Sequence, residues 1–265
     1  MPERNNMNQI RLDKFISERT QYSRSQIKEL VRKGNILLNG TPVKKPDIKI
    51  NLTSDSVNVC GQEIIYREHT YVLLNKPEGY VCSTDPKDGM TVMELVPPEL
   101  RTKDMFPAGR LDKDSLGAIL LTDDGQLAHR ILSPKNHIPK IYIVKLDIPF
   151  ESKYIDIFKN GVILSSGEQC LPAKVKGIEN CDKLAFVELH EGKYHQVKRM
   201  FAAVGNNVEV LMRVSVGGLI LPEKLGKGQC MELLHKDVEN LFTPLDFEDF
   251  CRNFAPVFSA IVINN

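Results

Sequence analysis

The 265-residue sequence predicts an α+β fold in two parts: a small N-terminal helix-helix-strand module, then a larger domain on a mixed, largely antiparallel sheet flanked by helices. Three observations predict it. Near the N-terminus, apolar residues at helical spacing occupy two short stretches that run into an Asn-Gly turn. Past residue 70, apolar runs of strand length alternate with helical segments, without the regular β-α-β alternation of a parallel doubly wound sheet. The chain is also long enough to bury more than one core.

Residues 1–8 read as a flexible N-terminus, with either Met1 or Met7 as a start. Over 9–59, Leu12, Phe15 and Ile16 mark a short amphipathic helix. Ser23 then caps a second helix with apolar Ile27, Leu30 and Val31, and Gly34 closes it. Asn35 to Gly40 reads as a strand entering the Asn39-Gly40 turn, and Val43–Ile50 and Val57–Val59 suggest further short strands. A linker is expected over 60–69. The second domain, 70–243, opens on the strand Tyr71 to Lys76, stopped by Pro77, and includes helical segments at Gly125–Leu132 and Gln196–Val204. In the tail, 244–265, Phe247, Phe250 and Phe254 predict a short amphipathic helix packed on the body, with Pro256 breaking it.

The net charge of +1 conceals an asymmetry. Residues 1–60 hold 11 Lys and Arg against 6 Asp and Glu, leaving 24 against 28 for the remainder, so the two parts carry +5 and −4. A polyanion meets the N-terminal part first. Arg24, Lys28 and Arg32 recur at i, i+4 spacing, which is repulsive unless a carboxylate or a polyanion compensates; otherwise they form an ordinary solvated face. The six cysteines include no Cys-x-x-Cys pair, so neither a zinc site nor a disulfide framework is expected. With no membrane-length apolar run and no signal-peptide core, a cytoplasmic location is expected.

Gly109-Arg110-Leu111-Asp112 sets a carboxylate beside a guanidinium at the lip of the apolar run Ala118-Ile119-Leu120-Leu121. An Asp there is often a mere turn residue, but the glycine and the buried run suggest a tight approach to a strand. A carboxylate so placed needs a cation to stay ionised. Downstream, Tyr194-His195-Gln196-Val197-Lys198-Arg199-Met200-Phe201 turns Val197, Met200 and Phe201 toward a core and leaves Lys198 and Arg199 on the flanks, where one can pair with that Asp. His190 and His195, five apart, suit no helical metal pair. In Lys140-Ile141-Tyr142-Ile143-Val144, strand alternation sends Lys140 and Tyr142 to one face, an arrangement suited to a flat ring and a phosphate.

Residues 9–57, with Arg-Leu-Asp-Lys-Phe, Ser-Arg-Ser and Gly-Asn-Ile-Leu-Leu-Asn-Gly, resemble the small RNA-binding module named after the fourth protein of the small ribosomal subunit. Together with Leu74 to Asp85, Gly109 to Asp112, Lys140 to Tyr142 and Glu191 to Gly205, the chain over 9–236 resembles the pseudouridine synthases of bacterial ribosomal RNA. The small-subunit branch is the better match. The resemblance implies that Asp112 is the catalytic aspartate, Tyr142 the active-site tyrosine and Lys198 the basic residue paired with the aspartate. It makes Arg110 the residue that enters the RNA helix where the target base leaves, and sets Arg213 in a segment lining the cleft. Lys140, Arg11, Lys14, Arg24 and Lys28 complete the expected RNA contacts. Two positions depart from the family pattern, Ser115 and Ile141, where threonine is more usual; neither removes a group the chemistry needs.

The implied reaction is isomerisation of uridine in small-subunit (16S) ribosomal RNA, with no cofactor and no metal. The expected partner is ribosomal RNA within a small-subunit assembly intermediate, and the expected state is a monomer. A glycoside hydrolase would need a second carboxylate about 5–5.5 or 6.5–9.5 Å away, and nothing nominates one. The alternatives are a synthase acting on large-subunit (23S) RNA and a non-catalytic RNA-binding assembly factor.

Overall fold

The computed structural model describes residues 9–52, 54–64, 68–133, 136 and 138–263. The expected flexible N-terminus, with the choice between Met1 and Met7, lies outside the described residues. The chain divides into two compact units, one ending at Thr70 and taking in Pro98–Asp104, the other comprising Tyr71–Pro97 and Met105 onward.

In the first unit β1 (Gln9–Arg11) leads directly into α1 (Leu12–Arg19), and α2 (Arg24–Arg32) follows. Ser23 caps α2: its backbone N–H donates to the Gln26 side chain at 2.8 Å, while its hydroxyl accepts from Gln26 N at 3.4 Å. These bonds satisfy groups that a helix start leaves orphaned. Asn39 and Gly40, both at positive φ, join β2 (Ile36–Leu38) to β3 (Thr41–Pro42). The stretch Val43–Ile50 is strand only at its end, where β4 (Lys49–Asn51) pairs with β1. β5 (Val57–Val59) and β6 (Gln62–Ile64) complete a sheet of order β3-β2-β5-β6. The strand β6 falls inside the expected linker, because Cys60 and Gly61 form a hairpin turn with both residues at positive φ. Leu12, Phe15, Ile16, Ile27, Val31 and Ile36 pack over Ile50, Val57 and Val59 to form this unit's core.

The second unit is built on one large sheet. Its strands are β7 (Tyr71–Lys76), β8 (Phe106–Pro107), β9 (Leu116–Thr122), β10 (Lys140–Leu146), β11 (Lys174–Ile178), β12 (Cys181–Leu189), β13 (Val208–Val216), β14 (Leu219–Ile220) and β15 (Cys230–Glu232). The order is β11-β12-β10-β13-β9-β7-β15, with β14 on β13 and β8 on β9, and among the described residues only β13 and β9 run parallel. The helices are α3 (Gly125–Leu132), α4 (Lys153–Lys159), α5 (Gln196–Ala203), α6 (His235–Glu239) and α7 (Phe247–Ile263). Strand alternation divides the side chains between two cores. Ile141, Ile143, Leu184, Phe186, Met212 and Val214 join α3, α6 and α7 on one face; Tyr142, Val144, Ala185, Val187 and Leu211 join α4 and α5 on the other.

As expected, α7 packs on the body, but it runs through Pro256 where a break was expected. A proline inside a helix costs about 3 kcal/mol. Buried Phe247, Phe250, Phe258 and Val262 offset it, since each fully buried side chain of this size contributes about 1.5–3 kcal/mol. Phe250 also meets Phe186 edge-on, with ring centroids 5.6 Å apart. Among the described residues no helix is long and apolar enough to cross a membrane.

The parallel junction between β9 and β13 depends on Gly117. Its φ is +101°, and a Cβ there would lie 2.1 Å from the Arg213 carbonyl oxygen. Gly117→Ala therefore meets both backbone strain and a main-chain collision. Expected is a loss of about 3 kcal/mol or more, read in thermal unfolding as a fall in Tm of about 6–12 °C.

Candidate active site

The segment 110–115, which feeds β9, is held almost entirely through its backbone. Leu111 N–H donates to Cys82 Sγ at 3.3 Å, and Ser115 N–H closes the turn onto the Asp112 carbonyl at 3.0 Å. The Lys113 carbonyl accepts from Gly79 N–H at 2.8 Å. Beneath the turn lies Lys76, the last residue of β7, with no exposed surface. Its ammonium donates to the carbonyls of Ser115 at 2.8 Å, Pro77 at 3.0 Å and Lys113 at 3.2 Å, so all three of its donors are used. Burial pulls the Lys76 pKa below its ordinary value, opposed by nearby Cys82, Asp114 and Asp112.

Arg213 fastens the other end of the turn. Its Nε donates to the Ala118 carbonyl at 2.7 Å and its Nη1 to the Arg110 carbonyl at 3.3 Å. Only 3 % of Arg213 is exposed. This corrects the expectation that Arg213 contacts RNA: it sits on the buried β13 opposite Gly117, and its guanidinium is turned onto backbone oxygens. Arg110 itself is exposed.

Asp112 and the second polar cluster do come together, but through different partners than expected. His195 Nε2 lies 3.4 Å from Asp112 Oδ1, whereas Lys198 Nζ contacts both carboxylate oxygens of Asp114, at 2.7 and 2.6 Å. The expected pair Lys198–Asp112 is therefore corrected to Lys198–Asp114. Asp114 is the more exposed carboxylate and is free to turn toward the start of α5, while Asp112 is about one-quarter exposed. The hydrogen bond from Lys198 is the main reason the Asp114 carboxyl falls below the usual range, with His195 adding to it. His195 has φ 47° and ψ 36°, a left-handed conformation rare outside glycine and costly enough to be associated with functional sites. Its ring stacks on exposed Tyr194 at 3.8 Å.

Tyr142 and Lys140 share a face as expected. Tyr142 packs with Leu111, the neighbour of Asp112, in the same core cluster. Between Ile141 and Tyr142 the register with β13 shifts, so that Tyr142 stands opposite Arg213; bulges of this kind re-aim side chains beside active sites. The Lys140 ammonium donates to the Ile138 carbonyl at 3.0 Å. Burial, and secondarily Arg213, bring its pKa down to about 8.

In the first unit, Arg24 and Lys28 are exposed on α2. Arg11 is bound to Asp13 by two hydrogen bonds of 3.0 and 2.7 Å, which hold that carboxyl below its usual range, and Lys14 lies 3.7 Å from Glu18. Among the described residues no group of three or more His, Cys, Asp or Glu lies close enough to hold a metal ion. Sequence reasoning missed Lys76, Asp114 and His195. The signal for Asp114 was its identity with Asp112 two residues earlier; His195 was weighed only as a metal ligand.

Comparison with known proteins bears on this arrangement. A family model described as RNA pseudouridylate synthase matches residues 70–203, and an S4 domain model matches residues 10–57. The chain is 39 % identical over 237 residues to a Bacillus subtilis protein named Uncharacterized RNA pseudouridine synthase YtzG, covering 89 % of this chain and 99 % of that one. It is 39 % identical over 234 residues to the Ribosomal small subunit pseudouridine synthase A of Haemophilus influenzae, covering 88 % and 99 % respectively. A solved structure titled Crystal structure of pseudouridylate synthase matches with TM-score 0.61 and 39 % identity, over 88 % of this chain and 99 % of that one.

Proposed function

The chain belongs to the RNA pseudouridylate synthase family, and from that premise we propose that it converts a specific uridine of small-subunit ribosomal RNA to pseudouridine, with Asp112 as the catalytic carboxylate. The observation that carries the reading is the turn 110–115, which presents Asp112 on a backbone clamped by Lys76 and Arg213. Preorganisation of this kind keeps a reacting group at its productive position.

The isomerisation breaks the bond between N1 of uracil and C1′ of ribose, rotates the base, and joins C5 to C1′. N1 gains a proton and C5 loses one, so nothing is oxidised and no group leaves. Attack on the sugar carbon, addition to the base and removal of a sugar proton all start from ionised Asp112. Flipping the uridine from its stack costs a few kcal/mol. Exposed Arg110 offsets part of this by filling the vacated space, and Tyr142 stacks against the extruded ring. Lys140 supplies a phosphate contact near the site, and Arg11, Lys14, Arg24 and Lys28 supply the electrostatic contacts of the S4 domain. The reading extends to a cytoplasmic monomer acting on an assembly intermediate; the name of several relatives supports the choice of small-subunit RNA.

Mapping pseudouridines in both ribosomal RNAs, from cells with and without the gene, tests the reading. Loss of one small-subunit pseudouridine is the expected result. A site lost from large-subunit RNA moves the substrate there, and no lost site in either RNA leaves a binding protein without turnover.

A further inference from the structure

Tyr194 is 75 % exposed, more than any other large apolar or aromatic side chain among the described residues, so it does little for a core. Among the described residues its hydroxyl makes no hydrogen bond, and its ring has one stacking partner. That partner is His195, with ring centroids 3.8 Å apart and planes 17° from parallel. The spacing is tighter than the about 4.5–7 Å usual for aromatic pairs in proteins and closer to the about 3.4 Å between bases along a nucleic acid strand. His195 Nε2 in turn lies 3.4 Å from Asp112. Granting that the chain modifies RNA at Asp112, we propose that the open face of Tyr194 is a platform on which an unpaired base next to the target uridine stacks.

The platform is held from behind. Arg199 Nη1 donates to the Tyr194 carbonyl at 3.2 Å, and Lys193 N–H donates at 2.9 Å to the side chain of Gln196, a residue only 3 % exposed. Gln196 Nε2 donates to Glu191 at 2.6 Å, and the same carboxylate oxygen accepts from Leu171 N–H at 2.8 Å. The backbone on both sides of Tyr194 is thus fixed before RNA arrives, which lowers the ordering cost of binding. Flipping a uridine leaves its neighbours without a stacking partner, and exposed aromatic rings take up such bases whatever their identity. Layer spacing selects the nucleotide. A base on the open face lies about 3.4 Å beyond Tyr194, two layers from the imidazole that borders Asp112, and so leaves the carboxylate to the uridine itself.

Steady-state kinetics of the full chain on a ribosomal RNA fragment containing the modified uridine test this. Tyr194→Ala is expected to raise KM by about 5–30-fold, the lower part of the range for one stacked base, with kcat within about threefold and an unchanged unfolding midpoint. Tyr194→Phe, which keeps the ring, is expected to recover most of the loss. RNAs with an abasic residue on the 5′ or the 3′ side of the uridine close the cycle: one of the two is expected to raise the wild-type KM by the same factor and the Tyr194→Ala KM no further. Wild-type KM in Tyr194→Ala, a loss in Tyr194→Phe as large as in Tyr194→Ala, or abasic RNAs that leave the wild-type KM unmoved or add their full cost in Tyr194→Ala each overturns the platform alone. Absence of pseudouridine formation by the wild-type protein on that RNA overturns the functional reading and this inference with it.

Discussion

Asp112→Asn is expected to reduce pseudouridine formation by about 10³-fold or more, near the upper range for loss of a single acid-base or nucleophilic group. Asparagine has nearly the same shape, and the turn around it is held through backbone atoms of Leu111, Lys113 and Ser115, so the fold has no reason to change. What disappears is one negative charge. RNA affinity is expected to hold or rise, because a charge that repels phosphate has been removed. Single-turnover assays that count pseudouridine, run beside equilibrium binding to the same RNA, separate the two effects. Modification by the variant at a rate near wild type rules out Asp112 as the catalyst.

Lys76→Met carries the second large effect, and it is structural before it is catalytic. Methionine fills much of the space but donates nothing, leaving the carbonyls of Pro77, Lys113 and Ser115 without the ammonium they share. A buried acceptor left unpaired costs about 1–3 kcal/mol. Relief of the desolvated charge returns part of that, and a net loss of about 2–4 kcal/mol is expected. Unlike Asp112→Asn, this variant is expected to lose both stability in urea unfolding and kcat, the latter by about 10²-fold through displacement of the turn. Unchanged unfolding together with unchanged turnover rules out the clamp.

The elements legible in the sequence were those whose causes are local. Ser23 and Gln26 mark the start of α2 by a contact that spans three residues. The alternation in β10 assigns Tyr142 and Ile143 to opposite cores, as the structure shows. The segment Gly109 to Asp112 was recognisable as the lip of a buried strand. What was not legible depends on partners distant in sequence. Lys76 before Pro77 looks like the polar end of a strand, and only carbonyls brought in from Lys113 and Ser115 make its burial possible. Lys198 had two aspartates within reach, and choosing between them needs the conformation of the turn rather than its composition. Arg213 looks like a surface cation until β13 is placed beside β9. β6 was hidden because Cys60 occupies a positive-φ position where Asn or Gly would have announced a turn. The helix α7 continued past Pro256 because its phenylalanines outweigh one lost hydrogen bond.

The grip of Lys76 and Arg213 on main-chain oxygens has an evolutionary consequence. Carbonyl oxygens are the same whatever side chain accompanies them, so the clamp does not read the identity of Lys113, which points to solvent. It does read spacing: one residue added or removed between Arg110 and Ser115 breaks the register among the gripped oxygens of Arg110, Lys113 and Ser115. Drift in this turn is therefore free to change letters at its exposed position and barred from changing length.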